Sequence, residues 1–235
     1  MMQYRSEIDG LRALAILPVV LYHFGIGPFS GGYLGVDIFF VISGYLITSI
    51  IFSEMAEGRF SLIGFFERRA RRILPALFFV VFSCIPMAAV WLSSADKIGF
   101  MKSVVGALAF LSNLLFWLES GYFETDAELK PLLHTWSLGI EGQFYLLFPL
   151  YVLLIKDRGK PAIITGLVIL FCLSLGLSHY GASAFPDATF YLLPTRLWEL
   201  LLGAFAAFYL LKHGHHAPLS LQQLMGLVGI GLIGA

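Results

Sequence analysis

Charge is scarce in this chain. Asp, Glu, Lys and Arg make up only 13% of its 235 residues, about half the share normal for a soluble domain. The 15 basic and 15 acidic residues cancel to a formal net charge of zero. No polybasic or acidic tail exists to attract a nucleic acid, so none is expected as a partner. Cysteine is equally sparse. Cys84 and Cys172 lie in apolar runs, where a thiol behaves as a small hydrophobe, and two such residues imply no disulfide framework. No soluble domain, low-complexity tract or internal repeat is visible. Apolar surface is what abounds: 58% of residues are hydrophobic and the mean hydropathy is +0.84. A bilayer is the solvent that suits such a chain, and helices satisfy their own backbone there. The expected fold is all-α, a polytopic transmembrane helix bundle.

A span needs about 20 apolar residues. Runs near 11–27, 36–53, 73–92, 101–118, 138–155, 161–178, 196–212 and 220–235 fit, so seven to eight spans are expected. The first run has no clear small-x-small cleavage site and reads as a retained span, not a signal peptide. The last stops at Ala235 in mid-span without a polar flank. Residues 1–235 therefore read as a single membrane domain, the N-terminal part of a longer chain. Arg68, Arg69, Arg71 and Arg72 read as a loop after the second span, which the positive-inside rule puts in the cytoplasm together with the N-terminus. Lys156, Arg158 and Lys160 ask for the cytoplasm too, yet the three spans between these loops put them outside. The acidic stretch 119–130 fits the cytoplasm poorly. A re-entrant segment among the three spans would remove the conflict.

Ionisable groups inside a span are expensive and usually functional. The run Arg12-Ala-Leu-Ala-Ile-Leu-Pro18-Val-Val-Leu-Tyr22-His23 holds two. At ~100° per residue, His23 returns almost to the azimuth of Arg12, ~16 Å further along the helix. One face would carry a fixed cation near one end and a titratable base deep in the bilayer. Pro18 loosens this by removing a backbone hydrogen bond. A snorkelling Arg12 and a His23 bonded to a neighbouring helix are the structural alternatives.

Four further stretches carry polar groups. In Gly35-Val-Asp37-Ile-Phe-Phe-Val-Ile-Ser43-Gly44-Tyr45, Asp37 lies near the outer end of the second span and is placed to orient His23, or it faces water. Ser43 and Gly44 read as small packing residues. In Glu67-Arg68-Arg69-Ala-Arg71-Arg72, two Arg-x-x-Arg pairs overlap. Each pair points one way on a helix and suits a phosphate, or the run serves topology and lipid headgroups. His134, Ser137 and Glu141 follow at i, i+3 and i+7, with Tyr145 beyond. They share a helix face and line a cavity or form an interhelical hydrogen-bond cluster. Arg196 and Glu199 stand at i, i+3 and read as a structural pair.

Taken in order, these motifs resemble the membrane acyltransferase family 3, the integral membrane O-acyltransferases. The resemblance runs from Tyr4 to about Gly203. It is carried by Arg12-x10-His23, Gly35-Val-Asp37 through Ser43-Gly44-Tyr45, and Phe66-x-Arg68-Arg69-x-x-Arg72-Ile-Leu-Pro75. It continues in Pro131-Leu-Leu-His134-Thr-Trp-Ser137-Leu-x-x-Glu141-x-Gln143-Phe-Tyr145 and Arg196-x-Trp198-Glu199-x3-Gly203. It implies transfer of an acyl group, usually acetyl, from cytoplasmic acyl-CoA to a hydroxyl of an extracytoplasmic glycan. Acetyl-CoA is the expected donor, with no metal. The expected acceptor is a glycan or lipid-linked saccharide of lipopolysaccharide, peptidoglycan or exopolysaccharide. The bacterial cytoplasmic (inner) membrane is the expected place. By the resemblance His23 is the catalytic histidine, Arg12 its basic partner and the Arg68-to-Arg72 stretch the CoA site. Members usually have about ten spans. Gly142 stands where many members carry a second carboxylate, and Gly139 where Ser or Ala is common.

The expected mechanism places donor phosphates against Arg68, Arg69, Arg71 and Arg72, with Arg12 as a further contact, and the thioester near His23. His23 acts as general base or forms an acyl-His. Asp37 or Glu141 orients it, and Ser137, Tyr145 or Arg12 stabilises the oxyanion. A transporter or flippase, using the same in-span residues as a relay, is the rival class; a noncatalytic scaffold is the third.

Overall fold

The computed structural model describes residues 6–26, 31–120 and 129–213. The span expected at 220–235 and most of the acidic stretch 119–130 lie outside them. All regular structure among the described residues is helical: α1 (Ser6–His23), α2 (Gly35–Ala56), α3 (Leu62–Trp91), α4 (Ser94–Leu108), α5 (Ser112–Glu119), α6 (Thr135–Ile155), α7 (Gly159–Ala184), α8 (Pro186–Tyr191) and α9 (Leu193–His213). Among the described residues, three helical stretches are long and apolar enough to cross a membrane: Gly32–Ala56, Leu62–Trp91, and Thr135–Ala184, which joins α6 to α7. The expected seven to eight spans reduce to these three on that measure. In α1, Glu7, Asp9 and Arg12 dilute the apolar run.

Helix ends follow local chemistry. α1 and α2 both close in a Schellman arrangement, with Gly25 and Gly58 in the left-handed region at φ 68° and 66°. α3 starts where the Ser61 hydroxyl accepts the Gly64 N–H at 3.3 Å. This start corrects the expected loop at Arg68–Arg72. Arginine is a good helix former, and nothing from Leu62 to Arg72 breaks the helix, so the arginines ride on α3.

The apolar run 101–118 is not one span. α4 ends by the same Schellman pattern: the Leu111 N–H bonds Gly106 O at 2.8 Å and the Phe110 N–H bonds Ala107 O at 3.2 Å. Phe110 takes the left-handed position, φ 57°, that glycine normally fills. α5 then folds back along α4, with Ser112 Cα 3.3 Å from where a Cβ on Gly106 would stand. The first turn of α4 and the end of α5 line one common cavity. The pair is a hairpin with both ends on the same side. Removing this crossing lets the loops around Arg59 and Lys156–Arg158 share one side of the bundle with the start of α1.

α2 and α9 form the most extensive helix pair. They run parallel. A Cβ on Gly44 would strike the Leu200 carbonyl, and one on Gly203 the Val41 carbonyl. Small residues allow such backbone contact, which matters where lipid supplies no hydrophobic drive for helices to associate. The main core gathers Phe40, Ile47 and Ile51 of α2, Ile140 and Phe144 of α6, Leu167 of α7, and Leu200 and Ala204 of α9. A second cluster joins α3 to α4 through Leu77, Val81, Phe100 and Ala107. Large apolar side chains such as Phe79, Val90 and Leu154 stand exposed on the outer faces, as lipid contact requires. Gly44→Val is expected to destabilise the fold by about 3 kcal/mol or more, beyond ordinary overpacking because backbone must move. Thermal unfolding of purified protein in detergent measures it; an unchanged midpoint would remove the crossing from its central place.

Candidate active site

Four helices, α1, α2, α3 and α6, enclose a cavity of about 250 Å³. Arg12 of α1, Ser43 of α2, Arg69 and Arg72 of α3, and Ser137, Glu141 and Tyr145 of α6 line it. Ser137, Glu141 and Tyr145 are spaced by four residues and so share one face of α6. Glu141 is 6% exposed. Ser43 donates a hydrogen bond to its Oε1, and the Tyr145 hydroxyl donates to its Oε2 at 3.0 Å. Both oxygens therefore have partners. The Arg12 guanidinium lies 5.2 Å from the Phe39 ring centre, and that of Arg69 5.8 Å from Phe65. The Nε of Arg69 is buried without a partner.

The two Arg-x-x-Arg pairs divide as helical spacing predicts. Arg69 and Arg72 line the cavity. Arg68 bonds both oxygens of Glu54 at 2.7 Å, and Arg71 bonds Glu67 at 2.7 Å. Of the four arginines expected to meet phosphate, Arg69 and Arg72 thus line the cavity with Arg12, and Arg68 and Arg71 are paired with carboxylates.

His23 ends α1 on the exposed side. Its Nδ1 lies 2.8 Å from the Val19 carbonyl. A carbonyl only accepts, so Nδ1 carries the proton and Nε2 keeps its lone pair free. No carboxylate among the described residues bonds this ring. Asp37, expected to orient the ring, pairs with Arg196 instead, and Glu141, the other candidate, lines the cavity with Arg12 and bonds Ser43 and Tyr145.

Arg196 is the hub of a separate cluster. It pairs with Asp37 across helices and with Glu199 at 3.3 Å within α9, the pairing expected from their spacing. Its guanidinium also lies 5.6 Å from the ring centres of Phe40 and Trp136 and 5.8 Å from Phe190. His134 precedes α6 and is exposed; its carbonyl accepts from Ser137 at 3.2 Å. It does not line the cavity.

Sequence reasoning missed Ser43 as a site residue; a hydroxyl in mid-span with a carboxylate on another span was the available signal. It also missed the polar dock of the α4–α5 hairpin. Ser112 donates to Thr135 O at 2.6 Å, Asn113 Nδ2 to Tyr191 O at 3.0 Å, and Gln143 Nε2 to Asn113 Oδ1 at 2.8 Å. Gly142 and Gly139 lack side chains because Phe110 and Asn113 fill the space. A Cβ there would lie 2.5 Å from the Phe110 ring and 2.6 Å from Asn113 Oδ1.

Asp37→Asn is expected to cost about 1–3 kcal/mol of stability, because it removes one of the two carboxylates that pair with Arg196 and leaves only Glu199. The double variant with Arg196→Gln should cost less than the sum, a coupling that a double-mutant unfolding cycle measures. Additive costs would mean the pair is incidental.

Comparison with known proteins follows the geometry. Residues 5–234 match acyltransferase 3, described as an acyltransferase domain. The O-acetyltransferase OatA of Staphylococcus aureus is 36% identical over 99% of this chain and 39% of its own length. The putative O-acetyltransferases SAS0844 and SAR0937 of the same organism are 38% identical over 88% of this chain and 35% of their own length. The chain thus spans about two-fifths or less of the length of these relatives. No solved structure matches it.

Proposed function

We propose that this chain, which belongs to the acyltransferase 3 family, carries an acyl group, most simply acetyl, from acyl-CoA to a hydroxyl of an extracytoplasmic glycan. The observation that carries this reading is the layout of α1. An arginine-lined cavity lies at the level of Arg12, and an imidazole with a free Nε2 stands eleven residues further on. Arg12, Arg69 and Arg72 would hold the donor's phosphates. The pantetheine arm would then cover the ~16 Å rise to His23. There His23 Nε2 accepts the proton of the acceptor hydroxyl as its oxygen attacks the thioester carbonyl. The tetrahedral intermediate collapses, the C–S bond breaks, and the imidazolium returns the proton to the leaving thiolate. The Val19 carbonyl keeps the tautomer that this step needs.

The cytoplasmic side is assigned to the start of α1. Arg59 and the Lys156–Arg158 turn then share that side, because the α4–α5 hairpin does not cross. This agrees with a donor that is made in the cytoplasm and an acceptor in the cell envelope, in a bacterial inner membrane. The relatives' printed names say O-acetyltransferase and support acetyl as the group moved. A transporter would need no acyl-CoA, and membership of an acyltransferase family argues against it.

The test uses membranes containing the whole protein, given acetyl-CoA labelled on the acetyl group. Label should reach the glycan fraction, and His23→Ala should cut it by about 10²–10⁴-fold at equal protein level. Transfer that survives His23→Ala would sink the assignment of His23. Absence of label with the unaltered protein, across several acyl-CoAs, would sink the reaction.

A further inference from the structure

The cavity beneath His23 poses a question that donor binding alone does not answer. Arginine recognises phosphate, yet a carboxylate stands among the three guanidinium groups on the same wall. Glu141 is not there as an ion-pair partner. Among the described residues it accepts hydrogen bonds from Ser43 and Tyr145, while Arg12, Arg69 and Arg72 have no carboxylate bonded to them. Two hydroxyl donors, one on each oxygen, hold the carboxylate in place beside the guanidinium groups. Three guanidinium charges and one carboxylate leave the cavity with two net positive charges in apolar surroundings. Such a site attracts an anion, and the buried Nε of Arg69, which has no partner, is an unused donor at its wall. The volume, about 250 Å³, accommodates a phosphate-sized group.

We propose that Glu141 is the charge-setting residue of this cavity: held by Ser43 and Tyr145, it trims the site to a dianionic phosphate group and keeps that group from binding too tightly to leave. In the donor reading, on which this role for catalysis rests, the dianion is a phosphate portion of the acyl-CoA. A site that releases its product needs moderate affinity, and a fixed negative charge beside three guanidinium groups supplies the moderation. Ser43 is the positioning residue, its hydroxyl bonded to Glu141. The charged and titratable groups facing Glu141 are Arg12 from α1, Arg69 and Arg72 from α3, and Tyr145 on its own helix; α2 contributes the neutral Ser43.

The experiment titrates the whole protein in lipid nanodiscs with inorganic pyrophosphate and, separately, with CoA. The unaltered protein should bind both, and Arg69→Ala/Arg72→Ala should lose both. Glu141→Gln removes the negative charge and should bind pyrophosphate more tightly, on the order of tenfold for one unit charge across a partly screened site. A folded Glu141→Gln that binds equally or more weakly overturns the proposal, since the residue would then be neutral already or merely architectural. Failure of the unaltered protein to bind pyrophosphate overturns it as well. Pyrophosphate binding without CoA binding would sink the donor reading and leave the charge-setting role standing. Ser43→Ala provides a second route should Glu141→Gln not fold. With the Ser43 hydroxyl gone, the Glu141 carboxylate is no longer fixed beside the guanidinium groups, and pyrophosphate should bind several-fold more tightly, as in Glu141→Gln. Unchanged or weaker binding by folded Ser43→Ala overturns the proposal.

Discussion

The backbone contact between α2 and α9 sets the positions of most polar groups in this protein. Gly44 and Gly203 bring the helices together at the carbonyls of Leu200 and Val41. Seven residues before each glycine, about two turns up the same face, stand Asp37 and Arg196, which meet as an ion pair. Further down the same seam Phe52 and Phe208 pack edge to face with ring centres 4.6 Å apart. A parallel pair in close register thus aligns small, charged and aromatic layers along one line. Lipid is as apolar as leucine, so burial of apolar surface does little to choose this pairing. Close packing and the cross-helix ion pair do that work. Because α2 also carries Ser43, the same contact fixes the hydroxyl that reaches Glu141.

Charge in the bundle is sorted into two groups by this arrangement. Arg196 takes both Asp37 and Glu199 and sits among Phe40, Trp136 and Phe190, so its carboxylates are spoken for. Glu54 and Glu67 likewise occupy Arg68 and Arg71. Arg12, Arg69 and Arg72 are left around one carboxylate, Glu141, and among the described residues the His23 ring is held by the Val19 carbonyl and packs against Tyr22. A carbonyl in the last turn of a helix is a good partner for such a ring. It lies where helix dipole and proton demand agree, and unlike a carboxylate it does not need to be buried with a counterion.

How much of this was readable without coordinates depends on whether the signal was local. The helix ends at Gly25 and Gly58 carry a local signal, glycine in the left-handed cap, although the expected spans were not bounded by it. The end of α4 carries none, because Phe110 fills that position and an apolar run shows no punctuation. The split of the arginines into 69/72 and 68/71 was legible from the i, i+3 period alone, although the run was mistaken for a loop. Its helix cap, Ser61, lies well upstream of the arginines. The partner of Asp37 was not legible. His23 lies close in sequence across a short loop, whereas Arg196 is 159 residues away, and only the α2–α9 contact brings it near. Ser43 offered only a mid-span hydroxyl as a signal, since its partner carboxylate lies 98 residues on.

α6 shows how the two faces of one helix constrain each other. Ser137, Glu141 and Tyr145 look into the cavity, while Gly139, Gly142 and Gln143 receive the α4–α5 hairpin. The hairpin needs the glycines, because Phe110 and Asn113 occupy the volume their side chains would take. Phe110 in turn holds its unfavourable backbone conformation because Gly142 leaves room for its ring. A carboxylate at position 142 would have to displace Phe110, and the turn between α4 and α5 would shift with it. A single acidic residue on this stretch of α6 is therefore the electrostatic counterpart of a steric choice. The face that docks the hairpin has no space for a second carboxylate, so the charge of the cavity rests on Glu141 alone among the side chains α6 presents to it.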